Sequence, residues 1–309
     1  MSKVSIIIPS YNHALFLQDR LDSILNQTFK NWEAIIIDDE SSDNSVQVIK
    51  DFLKVNPDFR VKHFIVNDKN SGSGYNSWKK GIELAETEYI WIAETDDYSD
   101  TAFLEELVEI LDDNDDVALA FCGSNYIEDS KIIYDSTNRT KDLEVDLGKY
   151  KIVGDNVFLN KMPFNTYITN GSSVVFRKPK EKMNDELFNN RQLSDLFLWS
   201  FLVQNRKFVF LNKNLNFFRR HENSTTTKMS ISSKKIVYEE ALKYLNFFEQ
   251  NYKFQFFLDH YVKHFVWSNK KEVFNYKFLK KIKGIDKIDI KYFGSIIKFI
   301  QLKIKSKWN

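Results

Sequence analysis

The chain has 309 residues, 43% of them hydrophobic and 28% charged, with a formal net charge of +1. That length supports one large or two modest domains, and a balance so near zero supplies no global field for nucleic acid. A single cysteine, Cys122, excludes an internal disulfide and a thiolate zinc cluster. No basic, apolar leader opens the sequence, and no apolar run approaches about 18 residues, so a cytoplasmic location is expected.

Val4–Ile8 is an apolar, β-branched run of the kind that lies buried on both faces of a parallel sheet, and it ends in the turn Pro9-Ser-Tyr-Asn12. Leu17, Leu21, Ile24 and Leu25 follow at helical spacing. A second buried strand is predicted over Trp32–Ile37, terminating in Asp38-Asp39-Glu40-Ser-Ser-Asp43. A helix over 45–55, a strand over 60–66, a polar loop over 67–74 and a helix over 75–85 come next. This β-α-β-α-β-loop-α order predicts a doubly wound, mainly parallel α/β sheet with right-handed crossovers.

The next strand, Tyr89–Ala93, delivers Glu94, Asp96 and Asp97 within four residues. Acids at the carboxyl end of such a strand sit where open α/β sheets bind ligands. Side chains alternate along a strand, so Glu94 and Asp96 share one face and Asp97 the other unless the chain has already turned. Crowded carboxylates repel one another unless a cation or hydrogen-bond donors offset them. Hard oxygen ligands suit Mg²⁺ or Mn²⁺, which complete their shells with water and phosphate. The other reading of the same residues is an acidic turn capping a helix over 101–111. Two acidic strand ends also fit a phosphoacceptor receiver domain built around Mg²⁺. Receivers, however, fall in the range of about 120 residues, and the tyrosine–asparagine turn has no role there.

Three segments, Ile6-Ile-Ile-Pro-Ser-Tyr-Asn12, Ser23-Ile-Leu-Asn-Gln-Thr28 and Ile36-Ile-Asp-Asp-Glu-Ser-Ser-Asp43, resemble the opening of family 2 glycosyltransferases with the GT-A fold. Trp91-Ile-Ala-Glu-Thr-Asp-Asp97 resembles their DxD-type metal motif, with Glu94 where the family usually has aspartate. The resemblance covers about residues 3–225. It implies an inverting, metal-dependent transferase using a nucleotide-sugar donor, a UDP-sugar first, and a glycan or lipid-linked acceptor in surface polysaccharide or glycoconjugate assembly. The implied nucleotide contacts are Pro9, Tyr11, Asn12 and Asp39, with Asn70 and Gly72 in the loop facing the diphosphate and Glu94, Thr95 and Asp96 beside the ribose and phosphates. Asp96, Asp97 and His221 are the implied ligands for Mn²⁺ or Mg²⁺. Lys79 and Lys80 read as solvated helix lysines and stay out of this set.

Farther along, a strand is expected over 117–122, a polar segment over 123–161 that suits an acceptor-side insertion, and a strand within Asn170-Gly-Ser-Ser-Val-Val-Phe-Arg177. Leu193-Ser-Asp-Leu-Phe-Leu-Trp199 resembles the family's Glu-Asp-x-x-x-Trp helix start, with Ser194 in place of glutamate and Asp195 in the position of the general base. Phe217-Phe-Arg-Arg-His-Glu-Asn-Ser224 matches a late Arg-x-His-x-x-Ser pattern, implying a loop that closes over the diphosphate. Arg219 or Arg220 would there neutralise the leaving group.

The expected division is a catalytic domain over 1–228, with a Rossmann-like nucleotide-binding half over 1–122 and an acceptor half over 123–228, then a helical extension over 229–309. Residues 270–309 carry 12 lysines against three acids, interleaved with Phe293, Ile296, Ile297, Phe299 and Trp308. A basic amphipathic helix of that kind can lie on an anionic membrane surface, here the inner face of the cell membrane, or pack on the catalytic domain or a second copy in a homo-oligomer. The remaining alternative is a catalytically silent membrane- or polysaccharide-binding protein.

Overall fold

The computed structural model describes residues 2–221, 231–253 and, beyond them, 256, 257, 260, 261 and 264. The chain divides into two compact units, Met1–Ser224 and Thr225–Asn309. The first opens with β1 (Val4–Ser10), α1 (Ala14–Leu25), β2 (Trp32–Asp38), α2 (Ser45–Val55), β3 (Val61–Val66), α3 (Gly74–Leu84) and β4 (Tyr89–Ile92). A two-residue β5 (Tyr98–Ser99), α4 (Phe103–Asp112) and a long β6 (Val117–Glu128) follow. The polar segment that follows resolves into β7 (Lys131–Asp135), α5 (Thr137–Thr140), β8 (Tyr150–Gly154) and α6 (Asp155–Lys161). The unit closes with β9 (Val174–Arg177), α7 (Ser194–Val203) and β10 (Lys207–Arg219).

The strands form one sheet in the order β3-β2-β1-β4-β9-β6-β10-β5, with β7 paired to β6 and β8 to β10. β3, β2, β1 and β4 run parallel, as do β6 and β10, while β9 lies antiparallel between β4 and β6. The strand order reverses between β1 and β4, which is where a doubly wound sheet opens a crevice beyond its carboxyl ends. β9 comes late in the chain and enters this frame beside β4, the strand that carries the acid turn.

The apolar run of β1 is buried throughout because both faces are covered. Ile6 and Ile8 belong to the core formed with Leu17, Leu21 and Ile24 of α1, Ile49 and Phe52 of α2, and Leu104, Leu107 and Leu111 of α4. Ile7 points the other way, toward α3, where Gly81 packs so closely that a Cβ on it would lie 2.4 Å from Ile7 Cγ2. Each buried side chain of this size contributes about 1.5–3 kcal/mol. Packing on both faces therefore fixes β1 and β4 firmly, and their carboxyl ends inherit that rigidity.

The second unit contains α8 (Ile231–Phe247) and a 3₁₀ turn at Asn251–Lys253. A helix was expected over 232–250. The expected helix over 254–267 falls almost wholly, and the basic stretch over 270–309 entirely, outside the described residues. Among the described residues, no helix is long and apolar enough to cross a membrane.

Candidate active site

At the end of β4 the chain turns at once. Asp97 N–H donates to Glu94 O at 3.2 Å, so the strand's alternation of faces stops before the three acids and each meets a different environment. Asp97 goes inward and has no exposed surface. Its Oδ2 accepts from Asn170 Nδ2 and Ser172 Oγ, both at 2.8 Å, and its Oδ1 accepts from Arg219 N at 3.1 Å. Burial and the neighbouring Asp96 push its pKa up to about 7, against the pull of Arg20 and these donors. Asp97 is the second of the two acids expected as cation ligands. Both its oxygens are engaged in tying the acid turn to the 170–172 segment and to the end of β10.

Asp96 stays at the surface of the crevice, its Oδ2 3.2 Å from His221 Nε2. Burial works against its ionisation, but the His221 hydrogen bond and the charges of His13 and His221 outweigh it and hold the carboxyl below the ordinary value. Glu94 is the opposite case. Burial, then the charges of Asp96, Asp97 and Asp195, raise its pKa well above the ordinary carboxylate value. That interaction also locates Asp195, which lies within electrostatic reach of the acid turn. It occupies the first turn of α7, half-buried, and Leu196 N–H donates to its Oδ1 at 2.8 Å. Ser194 beside it closes the preceding loop, donating to Asn190 O at 2.9 Å and accepting from Asn190 N at 3.0 Å.

Two residues that the sequence reading passed over complete this side. Arg20 projects from α1 beneath the acids with no exposed surface, its Nε 2.8 Å from Glu94 O and its guanidinium 5.5 Å from the Trp91 ring. Its two terminal nitrogens have no hydrogen-bond partner among the described residues. Burial lowers its pKa to about 10, against the attraction of Asp97, Asp96 and Glu94. His13 follows the β1 turn, with Nδ1 2.7 Å from Thr95 Oγ1, and burial lowers its pKa despite Asp96. Among the described residues, His13, Asp96 and His221 form a group whose ligand atoms all lie within 4.8 Å of one another. One carboxylate and two imidazoles are a donor set that fits a divalent cation.

The residues expected to meet the nucleotide gather on the neighbouring strand ends. Tyr11 is 48% exposed and free to present its ring, next to Pro9 at the end of β1. Asn12 takes a left-handed φ of 53° and its Oδ1 accepts from Ser42 N at 2.7 Å, which joins the first turn to the second. Asp38 is fully buried and accepts from Ser10 Oγ and from Ser41 N and Oγ. Asp39 is 4% exposed and already accepts from Asn67 Nδ2 at 2.7 Å, Ser71 N at 3.0 Å and Ser71 Oγ at 2.8 Å. Its carboxylate therefore organises the 67–74 loop. Asn70 Nδ2 donates to Asp39 O at 2.9 Å and Asn70 Oδ1 accepts from Gly72 N at 2.8 Å, with Gly72 at φ 83°. Lys79 pairs with Glu83 and Asp185, and Lys80 with Asn67.

The arginines expected to face the leaving group, Arg219 and Arg220, stand at and just after the end of β10. Arg219 donates to Asp19 Oδ2 at 2.6 Å and to Asp96 O at 3.3 Å, between the rings of Phe16 and Tyr98. That position clamps the acid turn from outside and commits the guanidinium to protein partners. Arg220 Nη1 donates to Tyr134 Oη at 3.3 Å. The segment after His221, over 222–230, lies outside the described residues, and with it most of the expected closing loop.

The chain is similar to known proteins in sequence and in fold. The chain is 27% identical over 223 residues to the glycosyltransferase GlyG of Streptococcus pneumoniae, covering 72% of each chain. It is also 27% identical over 223 residues to the poly(ribitol-phosphate) beta-N-acetylglucosaminyltransferase TarP of Staphylococcus aureus, covering 69% of this chain and 64% of that one. Other relatives are matched over a smaller part, such as 28% of the poly(ribitol-phosphate) beta-glucosyltransferase of Bacillus spizizenii. Among solved structures, S. aureus TarS 1-349 in complex with UDP-GlcNAc superposes with a TM-score of 0.60 at 17% identity, covering 97% of this chain and 81% of that one. The mannosyltransferase PcManGT from Pyrobaculum calidifontis, in complex with GDP-Man and Mn2+, gives 0.54 at 14% identity over 78% of this chain and 62% of that one. These likenesses show the fold, which is GT-A. The model described as Glycosyl transferase family 2 matches residues 5–178, more than half of the sequence, and the chain belongs to that family.

Proposed function

We propose that the protein transfers a sugar, with inversion, from a nucleotide-activated donor to a hydroxyl of a glycan or lipid-linked acceptor in the assembly of a cell-surface polymer. A UDP-sugar is the donor favoured by the TarS complex, and the acceptor class by the polymer named for TarP and for the B. spizizenii relative. One observation carries the reading. At the β1/β4 switch point, the cation-competent group His13, Asp96 and His221 and the half-buried Asp195 face the same acid turn.

The chemistry follows from what these side chains can do. Asp195 takes the proton of the acceptor hydroxyl as its oxygen forms a bond to the anomeric carbon. The bond from that carbon to the phosphate oxygen breaks on the opposite face, and the nucleoside diphosphate leaves through an oxocarbenium-like state. Asp96, with His13 and His221, would hold Mn²⁺ or Mg²⁺, which when bound offsets charge on the leaving diphosphate. Tyr11 supplies a ring for the base, and the 67–74 loop, fixed by Asp39 and Asn70, would stand beside the phosphates at the start of α3. The buried Asp97 and the clamped Arg219 hold the turn in place.

The test is a panel of UDP-, GDP- and dTDP-sugars, screened first for thermal stabilisation of the full chain and then for release of the nucleoside diphosphate with and without a glycan acceptor. Stabilisation by one nucleotide class and acceptor-dependent release are expected. Absence of both with every donor would leave a catalytically silent binding protein as the better account.

A further inference from the structure

We propose that a cavity at the opposite end of the sheet from the acid turn is a binding site for a phosphate ester, held by the paired guanidiniums of Arg177 and Arg206. The site goes beyond sugar transfer and stands independently of it.

The sheet brings these two arginines together from separate parts of the chain. β9 ends at Arg177 beside Tyr89, the first residue of β4, and β10 begins at Lys207 beside Val117, the first residue of β6. The amino ends of β4, β6 and β10 therefore meet the carboxyl end of β9, far from the strand ends that carry the crevice. Arg177 Nε donates to Val117 O at 3.0 Å, and Arg206 Nη2 donates to the same oxygen at 3.2 Å. Two positive charges are thus held against one carbonyl, where their repulsion calls for an anion.

The fold supplies a firm counter-ion to only one of them. Arg177, with 13% of its side chain exposed, pairs with Glu88 Oε1 at 2.7 Å. Its other acid, Asp115, is fully exposed and 3.6 Å away, a contact that water screens. Arg206 is half-buried and gives Nη2 to two carbonyl oxygens, Asp115 O at 2.9 Å and Val117 O. Among the described residues its Nε and Nη1 have no partner, and no carboxylate pairs with it. Asp116, whose charge it feels, is taken by Lys207 at 2.6 Å. Burial and the charge of Arg177 accordingly lower the Arg206 pKa against the pull of Asp116. A guanidinium with N–H groups to spare and a second guanidinium beside it suits a doubly charged oxyanion.

Both arginines line a cavity of about 1110 Å³, together with Lys178, Lys180, Phe201 and Leu202. Lys178 Nζ donates to Ala85 O, while Lys180 is exposed with no partner among the described residues and adds a further charge. Inorganic phosphate would leave most of that volume empty, so the ligand carries an organic body. Phe201 and Leu202, from the end of α7, supply the apolar wall for it. An ester satisfies both halves, with its phosphate on the arginines and its body on the apolar side.

The test titrates glycerol 3-phosphate into the full chain by calorimetry, with glycerol as the neutral control. A second arm measures cosedimentation with vesicles of phosphatidylglycerol in phosphatidylcholine. Both are repeated for Arg206→Gln and Lys180→Glu. One glycerol 3-phosphate per chain is expected, bound about 10- to 100-fold more weakly by Arg206→Gln. Vesicle binding that depends on Arg206, without binding of the free ester, would assign the same site to a lipid headgroup. The lysine-rich stretch over 270–309 is common to all variants, so attraction through it cannot produce that difference. If Arg206→Gln fails to fold, Lys180→Glu decides, with a loss of at least about threefold expected. No binding in either arm would overturn the proposal. So would binding unchanged in both variants, as would result from phosphate entering the crevice instead. Neither result touches the transfer reading, which depends on donor turnover.

Discussion

Arg20 donates from Nε to the carbonyl oxygen of Glu94 at 2.8 Å and has no exposed surface. A fully buried cation beneath three carboxylates offsets their mutual repulsion. Removing one partner of a buried charge set leaves the others uncompensated, which costs on the order of 3–5 kcal/mol. Arg20→Met should therefore lower the urea midpoint of the metal-free protein strongly, and Arg20→Lys should recover part of the loss. An Arg20→Met protein as stable as the parent would show that the acids need no such partner.

The same crowding predicts a pH dependence with a definite sign. Asp97 is raised from 3.8 to about 7 and Glu94 is raised from 4.5, so the folded chain holds more protons than the unfolded one between those values. Stability from these groups is fully present below about pH 4 and declines as pH rises through about 7 for Asp97. In chelator, the unfolding midpoint should fall between pH 5 and pH 8. Asp97→Asn should flatten that fall, and saturating Mn²⁺ should offset it. A parent and an Asp97→Asn protein with parallel profiles would contradict the assignment.

Asp195→Asn keeps the shape of the helix start but gives up the basic oxygen. Acceptor-dependent transfer should drop by roughly 10²–10⁴, with donor affinity measured by calorimetry unchanged. Near-normal turnover would remove Asp195 from the role of base.

Gly171 sits against Trp78, where a Cβ would lie 2.6 Å from Cη2 and 2.9 Å from Cζ2. Gly171→Ala should cost about 1–3 kcal/mol through overpacking. It should also disturb its neighbours Asn170 and Ser172, which hold Asp97. Reduced stability together with weaker cation binding is the expected pair, and an unchanged unfolding midpoint would show that the ring moves aside freely.

The parallel half of the sheet was readable because β1, β2 and β4 are short apolar runs that end abruptly in polar residues, and that pattern has few other physical outcomes. The family followed from motifs clustered at those same strand ends. The individual roles were harder, for reasons visible in particular residues. The three acids could not be told apart by spacing, since the chain turns immediately after Ile92 and sends Asp97 inward to donors 73 and 75 residues away. Arg20 did leave a trace, a charge on the buried stripe with Leu17, Leu21 and Ile24, the kind of local conflict that marks a special site. His13 left none. A lone histidine after a turn acquires meaning only from Thr95, Asp96 and His221, which the fold brings to it from two other strand ends. The polar stretch over 123–161 resisted reading because β7 and much of β8 are exposed, so no burial pattern marks them.

The central claim is that a nucleoside diphosphate binds in this crevice through a cation held at Asp96. Calorimetric titration of UDP into the full chain, with Mn²⁺ or with chelator, for the parent and for Asp96→Asn, tests it most directly. The account predicts that affinity in the parent falls at least about tenfold, or about 1.4 kcal/mol, when the cation is removed, and that Asp96→Asn is weak in both conditions. Equal affinity with and without the cation, or an Asp96→Asn protein that binds UDP as the parent does, would contradict it.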